Sequence, residues 1–213
     1  MAESRYPYTT AAAGCAHAYL LDPVKKLVQS LGNEGTVLDL GCGNGSLSHE
    51  MSKLGVEVYG IDRSESGIEI ARNAFPQVRF FLGDVEEDLS PDPFQSERFD
   101  VVESTEVVEH LYHPRRLVQN AFRLLKPSGH FIISTPYHGW LKNVVLALSG
   151  KMDQHFTALW DGGHIKFWSR ETMSGLLTEK GFTDLRFIGA GRVPYIWKSM
   201  ILIARKPLVS KQK

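Results

Sequence analysis

Two groups of residues in this chain have the types and spacing that chemistry requires. The first is Val37-Leu38-Asp39-Leu40-Gly41-Cys42-Gly43-Asn44-Gly45, an apolar run that ends in three alternating glycines. Glycines let the backbone turn sharply and let a ligand approach the main chain where a Cβ would block it. Asp62 ends a second apolar run, Val58-Tyr59-Gly60-Ile61-Asp62, about 20 residues on, where an acidic residue can meet a ribose diol. Asp84 ends a third run, in Gly83-Asp84-Val85. An aspartate at a strand end is also a common helix N-cap or turn former, so it is the joint spacing of the three that points to a ligand. The second group is Glu106-Val107-Val108-Glu109-His110. If a helix begins there, positions i, i+3 and i+4 share a face, and two carboxylates and an imidazole converge. His164, in Gly162-Gly163-His164-Ile165-Lys166, is placed to close such a site. Two carboxylates and two imidazoles suit Mg²⁺ or Mn²⁺, with Zn²⁺ as an alternative, and the same groups can act as a general base.

The elements that must position these residues alternate. Apolar runs at 36–40, 56–61, 78–82, 99–103 and 130–134 are separated by stretches with helical periodicity at 46–54, 65–75 and 114–125. That alternation predicts βαβ units and a parallel sheet. A helix over 170–180, stopped by Gly181, precedes two strand-like runs, 184–188 and 196–204, whose short connection predicts an antiparallel hairpin. A leading helix is expected over Ala11–Leu31, interrupted near Pro23.

With these features in place, residues 36–135 and the final hairpin resemble a class I S-adenosylmethionine-dependent methyltransferase. The resemblance implies a Rossmann-like seven-stranded, mostly parallel α/β sheet with an antiparallel C-terminal hairpin and helices on both faces. Asp39 with Gly41, Gly43 and Gly45 matches the motif that lies against the methionine part of S-adenosyl-L-methionine. Asp62 matches the acid that accepts from the ribose hydroxyls, and Asp84 the position that accepts from the adenine amino group, with Val85 adding a backbone contact. Cys42, Arg63 and Ser104 adjoin these positions and complete the expected donor set. Phe99-Asp100-Val101-Val102 and Leu125-Lys126-Pro127-Ser128-Gly129 match the fourth and fifth motifs, with Ser128 where Pro-Gly-Gly is common. A nicotinamide-dependent dehydrogenase would prefer GxGxxG and would not require Asp84 or the hairpin. The Glu106–His110 segment resembles that of ubiquinone-biosynthesis O-methyltransferases, where it is associated with a divalent ion. It is also similar to the metal site of small-RNA 2′-O-methyltransferases. Carried over, Glu106, Glu109, His110 and His164 are expected as ligands, with His110, Glu106 and His164 as the groups beside the acceptor.

The chain is expected to be a single domain. An N-terminal helical cap spans 1–35, the cofactor-binding core 36–135, an insertion 136–168 that lids the substrate, and a C-terminal helix and hairpin 169–206. Within the insertion, Trp140, Leu141, Val144, Val145 and Leu148 form one helical stripe with Lys142 and Asn143 off it. This reads as a cap packed on the sheet edge or a lid over an apolar acceptor, with peripheral membrane contact through 137–149 as an alternative in which Lys142 and Lys151 meet anionic lipid. His138 and His155 are candidates to line the same pocket. Arg5-Tyr6-Pro7-Tyr8 and His17-Ala18-Tyr19 are expected to fold over the donor and acceptor. Lysine plus arginine equals aspartate plus glutamate at 24 each in 213 residues, which disfavours holding nucleic acid by bulk charge. Cys15 and Cys42 lack metal or disulfide spacing and read as free thiols of a reducing cytoplasm. A polar Met1–Thr10 and the lack of any apolar run of roughly 20 residues point to a cytoplasmic protein. The expected reaction is O-methylation of a small, partly apolar molecule. The alternatives are RNA 2′-O-methylation, or an adaptor that binds the donor without transfer, against which the Glu106–His110 cluster speaks.

Overall fold

The structure, a computed structural model, describes residues 8–14, 17–30, 35–89, 99–156 and 158–208. Seven strands form one sheet: β1 (Thr36–Leu40), β2 (Glu57–Asp62), β3 (Arg79–Leu82), β4 (Phe99–Thr105), β5 (Leu125–Pro136), β6 (Thr183–Ala190) and β7 (Ser199–Arg205). Their spatial order is β3-β2-β1-β4-β5-β7-β6. Strands β1 to β5 pair in parallel, while β7 is antiparallel to both β5 and β6. The order reverses between β1 and β4, which opens a crevice at the carboxyl ends of those strands.

The two-residue pleat sorts side chains to the two faces. On one face Leu38, Leu40, Val102, Phe131 and Ile133 pack with α4 (Pro114–Leu124) and α7 (Arg170–Lys180). On the other face Val37, Val58, Val101 and Ile132 meet α1 (His17–Ser30), α2 (Ser46–Ser52) and α3 (Glu65–Ala74). Local signals set several helix ends. The Ser64 side chain caps α3 by accepting from Gly67 N, Ser169 and Thr172 form a reciprocal capping box on α7, and Gly181 at φ 102° ends α7.

The leading helix departs from expectation at both features. It begins at His17, residues 11–14 are not helical, and it runs through Pro23 without ending there. Leu20, Val24 and Val28 lie four apart and are buried against the sheet. At ~1.5–3 kcal/mol each, their burial outweighs the ~3 kcal/mol that an internal proline costs.

The insertion carries α5 (Trp140–Leu148) and α6 (Met152–Phe156). Of the alternatives for this helix, α5 does not take the sheet-edge cap. Trp140 is 76% exposed, Leu148 85%, and Val144 and Val145 also face out, whereas Lys142 is 4% exposed. Its ammonium donates to the carbonyls of Tyr137 (2.8 Å) and Lys198 (3.3 Å), so backbone at the ends of two strands draws the lysine inward. Lys142 is therefore not available to a lipid surface, and the apolar stripe is not packed on the sheet edge. Among the described residues no helix is long and apolar enough to cross a membrane.

Candidate active site

The glycine loop leaves β1 and enters α2 at the sheet's carboxyl edge. Gly43 holds φ +54°, and a Cβ there would stand 2.3 Å from the Tyr8 hydroxyl. Gly41 holds φ +90°, and its Cβ would meet Val107 at 2.4 Å. The loop is stitched to β2: Gly41 N and Cys42 N donate to Ile61 O, and Gly43 N donates to Asp62 Oδ2 at 2.9 Å. Ser64 N donates to the other Asp62 oxygen at 2.7 Å. Asp84 ends the next strand over, accepts from Glu86 N, and has Arg63 Nη1 3.9 Å from its carboxylate. Asp62 and Asp84 thus stand on neighbouring strand tips of one edge. Burial raises the Asp62 pKa despite its two backbone donors.

A cavity of about 360 Å³ opens beside this loop, lined by Asp39, Gly41, Cys42, Gly43 and Asn44, with Thr105 and Glu106 across from them. The N-terminal segment closes over it. Tyr8, Thr10 and Ala12 line the cavity, Asn44 Nδ2 donates to the carbonyls of Thr10 and Ala12, and Tyr8 N donates to Ser66 Oγ. Arg5, Tyr6, Pro7, Cys15 and the His17 side chain lie outside the described residues. The Cys42 thiol is buried, and burial followed by the charges of Asp39 and Asp62 pushes its pKa up, so it remains a thiol. Val85 is buried, with its carbonyl accepting from Asn120. Ser104 is turned into the sheet, its hydroxyl donating to Leu40 O at 2.8 Å, and Thr105 faces the cavity in its place.

The α-helix expected from Glu106 does not form. Glu106 sits at φ 55°, and only Val108–His110 make a short 3₁₀ turn. The two carboxylates consequently diverge. Glu106 accepts from Ser134 Oγ (3.0 Å) and Ser199 Oγ (3.1 Å). Glu109 Oε2 accepts from Thr135 Oγ1 (3.0 Å), and its buried Oε1 lacks a hydrogen-bond partner. That free oxygen lies 4.0 Å from His164 Nε2, longer than a hydrogen bond. One ligand atom each from Glu109, His110 and His164 fall within 4.8 Å of one another, and Glu106 is outside that group. The Glu109 carbonyl accepts from Ile165 N and Lys166 N, which pins the loop carrying His164. His110 Nδ1 lies 2.9 Å from Gly162 O, so it carries the proton and leaves the Nε2 lone pair free.

Burial dominates the electrostatics here. It pushes Glu106 up to about 7 against the Ser134 and Ser199 hydrogen bonds, and pushes Glu109 well up with help from the Glu106 charge. It lowers His110, and lowers His164 to about 4 with the His110 charge adding to the effect. Neutral imidazoles are the form that ligates a cation or takes a proton. His138 is buried, its ring against Phe156 and Phe167, and its centroid lies 5.2 Å from that of His155. Sequence reasoning missed Thr135, Ser134 and Ser199, whose hydroxyls hold the two acids, and Glu103, buried in mid-strand beside Asp39. Glu103 had a visible signal, being an acid inside the otherwise apolar run Val101-Val102-Glu103. The hydroxyls had none.

The strand order 3-2-1-4-5-7-6, the glycine loop at its switch point and the acids on successive tips define a class I methyltransferase fold. A family model described as a methyltransferase domain matches residues 13–186, and the chain belongs to that family. Among curated proteins it is similar to the ubiquinone biosynthesis O-methyltransferase of Coxiella burnetii, 36% identical over 120 residues that cover 55% of this chain and 51% of that protein. The Proteus mirabilis protein of the same name is 38% identical over 104 residues, covering 46% and 41%. The aligned segments span about half the length of these relatives or less. Among solved structures, an O-methyltransferase family protein from Burkholderia thailandensis superposes with a TM-score of 0.66 at 19% identity, covering 90% of this chain and 57% of that one. The magnesium protoporphyrin IX methyltransferase of Synechocystis, solved with bound S-adenosylhomocysteine, gives 0.64 at 22%, covering 88% and 81%.

Proposed function

We propose that this chain transfers a methyl group from S-adenosylmethionine to a hydroxyl oxygen of a small, partly apolar acceptor. The Glu109–His110–His164 cluster, next in sequence to the Thr105–Glu106 wall of the donor cavity, carries the reading. The donor lies along the β1–β3 edge, its methionine part by Asp39 and the glycine loop, its ribose on Asp62 and its adenine by Asp84 and Val85. The acceptor oxygen forms the new C–O bond as the C–S bond breaks, and sulfur keeps the electron pair as a neutral thioether. The acceptor must also lose its proton, and a phenol with a pKa near ~10 does so too rarely alone.

The cluster fits a divalent ion such as Mg²⁺ or Mn²⁺: Glu109 Oε1 is buried without a partner, His164 Nε2 lies 4.0 Å from it, and one ligand atom each of Glu109, His110 and His164 fall within 4.8 Å of one another. Such an ion, when bound, supplies Lewis acidity that makes a hydroxyl easier to ionise. The chain's own residues fix the geometry. Gly162 O sets the His110 tautomer, Thr135 orients Glu109, and the Glu109 carbonyl holds the His164 loop. Without an ion, the same His110 lone pair is the proton acceptor. The exposed apolar stripe of α5 and the aromatic rings around His138 support an acceptor with apolar bulk.

The test is formation of S-adenosylhomocysteine with a panel of phenols and catechols of graded lipophilicity, with and without chelator. Turnover of hydroxylated acceptors supports O-methylation, and methylation confined to amines sinks it. Activity lost to chelator and in Glu109→Gln, and restored to the wild type by Mg²⁺ or Mn²⁺, supports the ion. Activity indifferent to both leaves His110 as base and removes the ion.

A further inference from the structure

We propose that Glu103 is a positioning residue of the donor cavity: it shares a single proton with Asp39, and a cationic amine arriving beside Asp39 expels that proton, so donor binding is proton-linked. The inference rests on the reading that the methionine end of S-adenosylmethionine lies at Asp39.

Asp39 on β1 and Glu103 on β4 are register partners on adjacent parallel strands, so their side chains leave the same face of the sheet, one strand spacing apart. Asp39 is 2% exposed and Glu103 fully buried, so the two carboxyls are shut off from water side by side. Two acids held one strand spacing apart, buried and without a cation beside them, cannot both ionise; one must keep its proton. The remaining contacts leave room for one shared proton. Ser48 Oγ donates to Asp39 Oδ2, Thr105 Oγ1 donates to Glu103 Oε2 at 2.7 Å, and the buried Glu103 Oε1 has no hydrogen-bond partner, which leaves it the place for a proton.

The surroundings keep the proton in place. Asp62 from β2, Cys42 from the loop, and Tyr8 and Glu106 across the cavity are all acidic groups, and among the described residues lining the cavity there is no lysine, arginine or histidine. Burial pushes Asp39 up to about 6 and Glu103 well above the ordinary carboxylate range, with the charge of Asp39 adding to the latter. An α-ammonium supplies the cation that the described residues lining the cavity lack. It stabilises the doubly ionised pair, and the displaced proton passes to the buffer. By reciprocity, whatever removes the proton tightens the ligand.

The experiment is calorimetric titration of S-adenosylhomocysteine, which carries the same α-amine, between pH 5.5 and 7.5. Two buffers of different ionisation enthalpy are used, with wild type, Glu103→Gln and Glu103→Leu. The wild type is expected to release a proton fraction approaching one, with affinity rising by up to about tenfold per pH unit, the limit for one proton. Both variants are expected to release only what the ligand's own amine contributes, with a flatter affinity profile. Proton release equal in all three proteins overturns the proposal while leaving the donor site standing. Zero release by the wild type overturns it even if neither variant folds. A wild type that binds nothing at any pH removes the donor reading itself.

Discussion

Lys142 offers a direct measure of what its burial on helix α5 costs. Folding takes its ammonium from water to a site that is 4% exposed, with two carbonyl partners. Burial, followed by the Arg192 charge, lowers its pKa from 10.5 to about 8, with Glu106 acting in the opposite sense. Between pH 8 and 10.5 the unfolded chain therefore binds more protons than the folded one, so stability rises as pH climbs through that window. At 1.36 kcal/mol per unit, the gain is about 3 kcal/mol. The perturbation is Lys142→Met, which keeps most of the stem and removes the titrating group. Urea unfolding of both proteins from pH 7 to 10.5 reads the effect, with the part above pH 8 assigned to the lysine because Glu106, which its charge also touches, titrates at about 7. Wild-type stability should rise by about 3 kcal/mol relative to the variant, with most of the change above pH 8. Parallel profiles would refute the reasoning and show that the ammonium reaches solvent.

Three further outcomes are expected. Ser128 holds φ 66° near the start of β5, a conformation that costs a side-chain-bearing residue ~1–2 kcal/mol. Ser128→Gly should thus stabilise by about 0.5–1 kcal/mol after glycine's extra unfolded-state entropy, read as a higher denaturation midpoint. Phe131 is fully buried and stacks on Phe182 at 5.6 Å, so Phe131→Ala should cost roughly 3–5 kcal/mol in the same assay. Gly43→Ala meets both a positive φ and the Tyr8 hydroxyl; it should weaken S-adenosylhomocysteine binding at least about tenfold by calorimetry, the equivalent of 1.4 kcal/mol.

What the sequence revealed and what it hid divide along a physical line. Gly41, Gly43, Asp62 and Asp84 were legible as a set because each stands at a fixed offset from a strand end, and strand ends follow from apolar runs. The sheet and its closing hairpin were legible for the same reason. The conformation of Glu106–His110 was not. Its residue types were read, but Glu106 adopts a left-handed backbone held by Ser134 of a neighbouring strand, and no local propensity announces a tertiary contact. Periodicity separated Lys142 from the apolar stripe on α5 but left open whether the stripe packs on the sheet edge, lids a substrate or meets a membrane, and it gave no sign that the lysine is the buried side. The carbonyls of Tyr137 and Lys198 that attract the ammonium come together only once β5 and β7 pair. Pro23 misled in the opposite way, since a strong local breaker yielded to three buried side chains.

The placement of β7 has a consequence for how the molecule assembles. Ser199–Arg205 comes last among the described strands in chain order, yet it lies between β5 and β6 with its residues from Ser199 to Ala204 buried. During synthesis, β5 must wait with one edge unpaired until some 70 later residues have emerged, and a bare edge of that kind invites pairing with other chains. A ribosome-stalled intermediate from which this segment has not yet emerged would carry the glycine loop and β1–β5 platform while remaining prone to aggregate, so chaperone demand should peak just before β7 emerges.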